Sequence, residues 1–156
     1  MKLITNPNSW SCLLASAAMA LDTTTQDLIE MIGHNGSSVI FSELPEPGSR
    51  RGFHCQEIVD CAIKLGYLVT PIESLPYSTP DGKLDFPVDF KISNERRLRN
   101  HMKDTQGILT GLSGKWRHAV YWDGEKIYDP RGCICSLDEC DIIIDTYYRF
   151  DKIKSF

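Results

Sequence analysis

Apolar and polar positions along the chain change period once. In the N-terminal part apolar residues recur at helical spacing, and in the C-terminal part they alternate. Leu13, Leu14, Ala17, Ala18 and Leu21 share one helical face, and Ala15, Ser16 and Ala20 let neighbours come close. The spacing predicts a helix from about Ser11 to Leu21, buried because almost every residue is small or apolar. A second helix is expected in "TTTQDLIEMIG", with Thr23 or Thr24 as cap, Gln26 or Asp27 reciprocating, and Gly33 as its end. A third is expected over residues 54 to 65, with Cys55, Ile58, Val59, Ala62 and Ile63 on one face and Gly66 as its stop. "YLVTPIE" reads as a strand, and "NERRLRNHMKDT" as a polar helix that buries Leu98 and Met102 and turns Arg96, Arg97, Arg99 and Lys103 to water. Period-two runs then follow in "GILTGLS", "RHAVYW", "KIYDP" and "DIIIDTYYRF". In the last of these, alternation is expected to bury one of Tyr147 and Tyr148 and expose the other. Residues 34 to 53 and 74 to 90 are rich in turn formers and read as long loops, of the kind that often line a cleft. Helices first and an antiparallel sheet second point to one α+β domain over residues 1 to 156.

Charge and composition narrow the functional classes. A formal charge of −4 gives no basic footprint for nucleic acid. No apolar run approaches the ~20 residues that span a bilayer. The start, "MKLITNPNSW", lacks the apolar stretch of a signal peptide, so a soluble cytoplasmic protein is expected. In that compartment six cysteines imply free thiols or catalysis more than a disulfide framework. Cys55 and Cys61 fall in an apolar helical pattern and read as core. Cys133, Cys135 and Cys140 in "CICSLDEC" offer three thiols to a metal, but the spacing lacks the paired C-x2-C knuckles of a zinc site. No metal and no cofactor is expected.

The chemistry concentrates in "GKWRHAVYWDGEKIYDP". Asp123-Gly124 between two alternating runs signals a hairpin. A two-residue turn there pairs Trp122 with Glu125, Val120 with Ile127 and His118 with Asp129. Directly opposed residues keep their Cβ atoms ~5 Å apart, close enough for a carboxylate to orient an imidazole. Alone, such a pair is a satisfied ion pair at a sheet rim. A nucleophile suited to it changes the reading, and Cys12 is one. It opens a buried helix, where unpaired backbone N–H groups and the helix dipole favour an anion, and an imidazolium beside it favours the thiolate further. The Cys12 N–H and the side-chain amide of Asn6 or Asn8 could hold the oxyanion of an attacked carbonyl. His34 follows the second helix, where the C-terminal dipole favours a cation, His54 and His101 have no carboxylate partner of comparable geometry, and Trp10 and Trp116 flank the proposed groove in sequence.

A cysteine opening a central helix, an amide six residues before it, a later strand histidine and then an aspartate resemble the papain-like cysteine peptidases. "GFHCQEIVDCAIKLGY", "GILTGLSG" and "HAVYWDGEKIYDP" are most similar to the compact bacteriocin-processing (double-glycine) peptidase-like domains and their free-standing bacterial and phage relatives. The likeness spans about residues 6 to 140. It implies a papain-like fold, with the nucleophile helix packed on a C-terminal antiparallel sheet. It also implies Cys12 as nucleophile, His118 as general base and acid, Asp129 as the orienting residue, and a peptide or protein substrate. Position 6 carries asparagine where that family usually has glutamine, and Leu13 stands where it has a small residue. Two alternatives remain open at this point: an acyltransferase of transglutaminase type using the same residues, and an inactive peptidase-like module that binds or inhibits.

Overall fold

The first turns of the fold are helical because their sequence is small and apolar. α1 (Cys12–Ala20) and α2 (Thr25–Ile32) lead into α3 (Cys55–Lys64), β1 (Tyr67–Glu73) and α4 (Asn94–Met102). β2 (Gln106–Ser113), β3 (Trp116–Trp122), β4 (Ile127–Asp129), β5 (Cys133–Cys135) and β6 (Ile143–Lys152) complete the chain, with a 3-10 turn at Leu137–Glu139. The computed structural model describes residues 2–38, 51–74 and 94–153. Most of the two long loops read from the sequence, at 39–50 and 75–93, lies outside the described residues. The six strands form one antiparallel sheet in the order β1-β6-β2-β3-β4-β5, so the chain is α+β. Among the described residues no helix is long and apolar enough to cross a membrane.

Both faces of the sheet are covered. On one, Leu14, Ala17 and Ala18 of α1, Leu28 of α2 and Ile58 of α3 pack against Ile108, Ala119, Tyr121 and Phe150. On the other, Leu98 and Met102 of α4 pack against Leu109, Val120, Trp122 and Tyr147. Consecutive strand residues point to opposite faces, so alternate positions feed the two cores. This corrects the reading of the last strand: Tyr147 is buried, but Tyr148 is half-buried against the helical face instead of exposed. The face of α3 is also rotated from its expected position. Ile58, Cys61 and Ala62 are buried, while Ile63 is 55% exposed. β5 was not anticipated, because "CICSLDEC" carries no alternation long enough to signal a strand.

Helix ends follow side-chain chemistry. Thr24 caps α2 by accepting from the Asp27 N–H, and Gly33, at φ 94°, ends it in the left-handed region. His54 caps α3 through its ring and completes a capping box with Glu57.

The hairpin register differs from the sequence expectation. Trp122 pairs with Ile127, not Glu125, and Tyr121 pairs with Tyr128. Asp123 Oδ1 accepts from both Glu125 N (2.8 Å) and Lys126 N (2.7 Å), so residues 123 to 126 form the connection and the two-residue turn is lost. Continuing the observed register sets Asp129 level with Val120, one pleat from His118. The displacement is two residues, so both side chains stay on the same face. A slip of one residue would have separated them.

Gly111 lies opposite His118 in β2, at a register shift between β2 and β6. A Cβ at this position would collide with the Ile143 carbonyl oxygen. Gly111→Ala is therefore expected to destabilise by about 1–3 kcal/mol or more. Urea unfolding with an unchanged midpoint would contradict the close approach of these strands.

Candidate active site

The segment before α1 is shaped by one asparagine. Asn8 Oδ1 accepts from the Trp10 N–H (3.1 Å) and the Ser11 hydroxyl (2.6 Å), forming a side-chain turn that enters the helix. Ser11, at the N-cap position, has given its hydroxyl to Asn8 and makes no capping bond. No acidic residue occupies the first turn either. The N-terminus of α1, with Cys12 as its first residue, therefore keeps its positive end uncapped. Cys12 is half-buried, and the residues on either side pack into the fold: Ser11 is buried and Leu13 is half-buried against the core.

His118 sits in β3 with 8% of its surface exposed, and Asp129 ends β4 with 3% exposed. His118 Nε2 donates to Asp129 Oδ1 at 2.8 Å, which fixes the ring and leaves Nδ1 unclaimed by the carboxylate. Burial pulls the His118 pKa down. Hydrogen bonds with Asp129 and Cys12, and their charges, more than reverse this and raise it to about 9. The ring is thus an imidazolium at neutral pH. Burial disfavours the Asp129 carboxylate, yet hydrogen bonds from His118 and Arg131 hold its pKa well below the usual carboxylate range. The three residues expected from the sequence are brought together, although a hundred residues separate the thiol from the ring.

Arg131 was missed. Its Nε donates to Asp129 Oδ2 (3.0 Å), its Nη2 to the same oxygen (2.7 Å) and its backbone N–H to Oδ1 (2.9 Å). Nη2 also reaches Asp141 Oδ1 (2.8 Å), and Nη1 reaches Ser113 Oγ (3.0 Å). Arg131 therefore closes the carboxylate from behind and ties the end of β4 to β2. A signal for it lay in "YDPRG": an arginine two residues beyond a turn-initiating aspartate can return its guanidinium to that carboxylate.

The two candidate oxyanion amides differ. Asn8 has its carbonyl oxygen committed to the turn before α1. Asn6 is anchored by its backbone N–H to the Pro130 carbonyl (2.8 Å), immediately after Asp129, and its Oδ1 is buried without a hydrogen-bond partner. The remaining histidines are employed elsewhere. His34 pairs with Glu57 and stacks on Phe53, His54 caps α3, and His101 lies on α4, where burial and Arg97 and Arg149 lower its pKa. Trp10 is held by its indole N–H to the Asn35 carbonyl (3.1 Å) and by Arg51 over its ring, while Trp116 is 76% exposed. All six cysteines are free thiols, and among the described residues no group of three or more His, Cys, Asp or Glu side chains is placed to hold a metal ion.

No protein-family model matches the chain, and no curated protein matches it.

Proposed function

We propose that this chain is a papain-like cysteine hydrolase that cleaves peptide or isopeptide amides through an acyl-enzyme. One observation carries the reading: a buried histidine held by a buried carboxylate interacts with a half-buried thiol at an uncapped helix N-terminus. Cys12 supplies the thiolate and attacks the carbonyl carbon. The oxyanion that forms meets the Cys12 N–H at the positive end of α1, with the Asn6 amide as the candidate second donor. His118, already protonated, gives its proton to the leaving amine, and the acyl-thioester remains on Cys12. His118 then takes a proton from water, the hydroxide attacks the thioester, and the acid product leaves. Asp129 keeps Nδ1 facing the sulfur throughout, and Arg131 keeps Asp129 ionised and in place. Six free thiols suit a reducing compartment, and the cytoplasm is the proposed location.

Thiol reactivity tests this before any substrate is known. Iodoacetamide at mildly acidic pH is expected to modify Cys12 well before the other five cysteines, and His118→Ala to abolish that preference. Uniform slow labelling of all six would end the enzyme reading. With a peptide substrate in hand, a labelled primary amine separates hydrolysis from acyl transfer by whether it appears in the product.

A further inference from the structure

Cys133, Cys135 and Cys140 play no part in the chemistry above. β5 forms the edge of the sheet, and its pairing sets Cys133 opposite Asp129 and Cys135 opposite Ile127, with both cysteines on one face. Ser136 then starts a 3-10 turn closed by a capping box with Glu139, and the Cys140 N–H returns to the Leu137 carbonyl (3.4 Å). That single turn folds Cys140 back so that it and Cys135 pack on the same apolar cluster. Cys133 is exposed, whereas Cys135 and Cys140 are half-buried.

We infer that residues 133–140 form an oxidation site, in which Cys133 reacts first with a low-molecular-weight disulfide such as oxidised glutathione and Cys135 and Cys140 close a disulfide. Geometry selects this pair. Cys133 and Cys135 are alternate residues of an extended strand, so their Cβ atoms stand about 6.6 Å apart, too far for the ~3.5–4.5 Å of a disulfide. Cys135 and Cys140 are joined by a reversing turn, which removes that limit. The order of attack follows from access and ionisation. Burial and the neighbouring Cys140 and Cys133 thiols push Cys135 up to about 11, and burial raises Cys140, so the exposed Cys133 meets an outside disulfide first and the inner thiols attack once that disulfide is held beside them.

The steps balance. The Cys133 thiolate attacks one sulfur of oxidised glutathione and releases one glutathione thiolate. Cys135, on the same face of β5 as Cys133, attacks the glutathione sulfur of that mixed disulfide and releases the Cys133 thiolate. Cys140 attacks the Cys135 sulfur and expels the second glutathione. Overall two protein thiols are oxidised and one glutathione disulfide is reduced to two thiols. This chemistry is independent of any role for Cys12.

Tryptic cleavage isolates the site, because the peptide from Gly132 to Arg149 contains these three cysteines and no others. The unaltered chain is treated with oxidised glutathione, denatured, alkylated with iodoacetamide, digested and weighed. The expected peptide has lost two hydrogens and carries one alkyl group, on Cys133. Cys133→Ser is expected to slow closure several-fold without preventing it, and Cys140→Ser to trap glutathione on the peptide. Three alkylated cysteines after exposure, or a bond joining Cys133 to Cys135, would overturn the assignment. An unchanged rate in Cys133→Ser would remove Cys133 as the first thiol to react.

Discussion

Cys12→Ala is expected to abolish amide hydrolysis, by about 10⁴-fold or more in kcat, while leaving the thermal midpoint within about 2 °C. The large effect follows from chemistry, since no neighbouring group replaces the sulfur. The small effect on stability follows from position. Alanine is the best helix former, and Cys12 opens a helix whose burial is carried by Leu14 to Ala20. His118→Ala should come close to the same loss of activity, since the leaving amine then has no acid and the thiol no base. Asp129 keeps its Arg131 contacts in that variant, so the fold survives. Hydrolysis by the Cys12→Ala protein at a tenth of the parent rate would remove Cys12 as nucleophile. Full activity in His118→Ala would reassign the base.

The largest stability effect is expected at Asp129. Its truncation takes from the buried His118 ring the carboxylate that holds it and takes the anchor from Arg131, and breaking a buried ion pair on one side costs about 3–5 kcal/mol. For a chain of this length that lowers the melting temperature by roughly 10 °C. Arg131→Ala should cost much less, since the Arg131 side chain is 44% exposed and His118 still holds the carboxylate. The pH dependence has a definite sign. His118 has a folded pKa of about 9, above its unfolded value near ~6.5. It therefore contributes stability that is fully present below pH ~6.5 and is lost as pH rises through about 9, on the order of 3 kcal/mol in all. Asp129 acts in the opposite direction: its depressed pKa contributes stability above the unfolded value near ~4, lost as pH falls further. Urea unfolding of the parent and of His118→Ala across pH 6 to 10 reads this directly. Parallel curves for the two proteins would show that His118 is not held as an imidazolium.

The helices were legible because local signals agree with burial. Gly33, Thr24 and the small-residue run of α1 each act within a few residues, and the structure keeps them with ends displaced by a residue or so. β5 was not legible. It is three residues long, lies at the sheet edge and exists through pairing with β4, which no local pattern encodes. The hairpin was read correctly as a hairpin and wrongly in register, because Asp123 Oδ1 captures two N–H groups and lengthens the turn. The His118–Asp129 pair survived because a shift of two preserves the face of a strand.

By itself the sequence determined which side chains were available and, for the chemistry-bearing ones, which strand face or helix end each would occupy. Helical and strand periods dictate that, and they placed His118 and Asp129 on one side of the sheet and the Cys12 thiol at a helix start. Two local contacts then shape the site's ends: Asn8 and Ser11, three residues apart, turn to each other and leave the end of α1 uncapped, and Arg131 returns to clamp Asp129 two residues before it. Only the tertiary structure decided that the His118 ring and the Cys12 thiol meet. The physical reason is range. Periodicity and capping act over a few residues, whereas charge pairing and desolvation depend on groups that only the packing of α1 on β2 and β3 brings together.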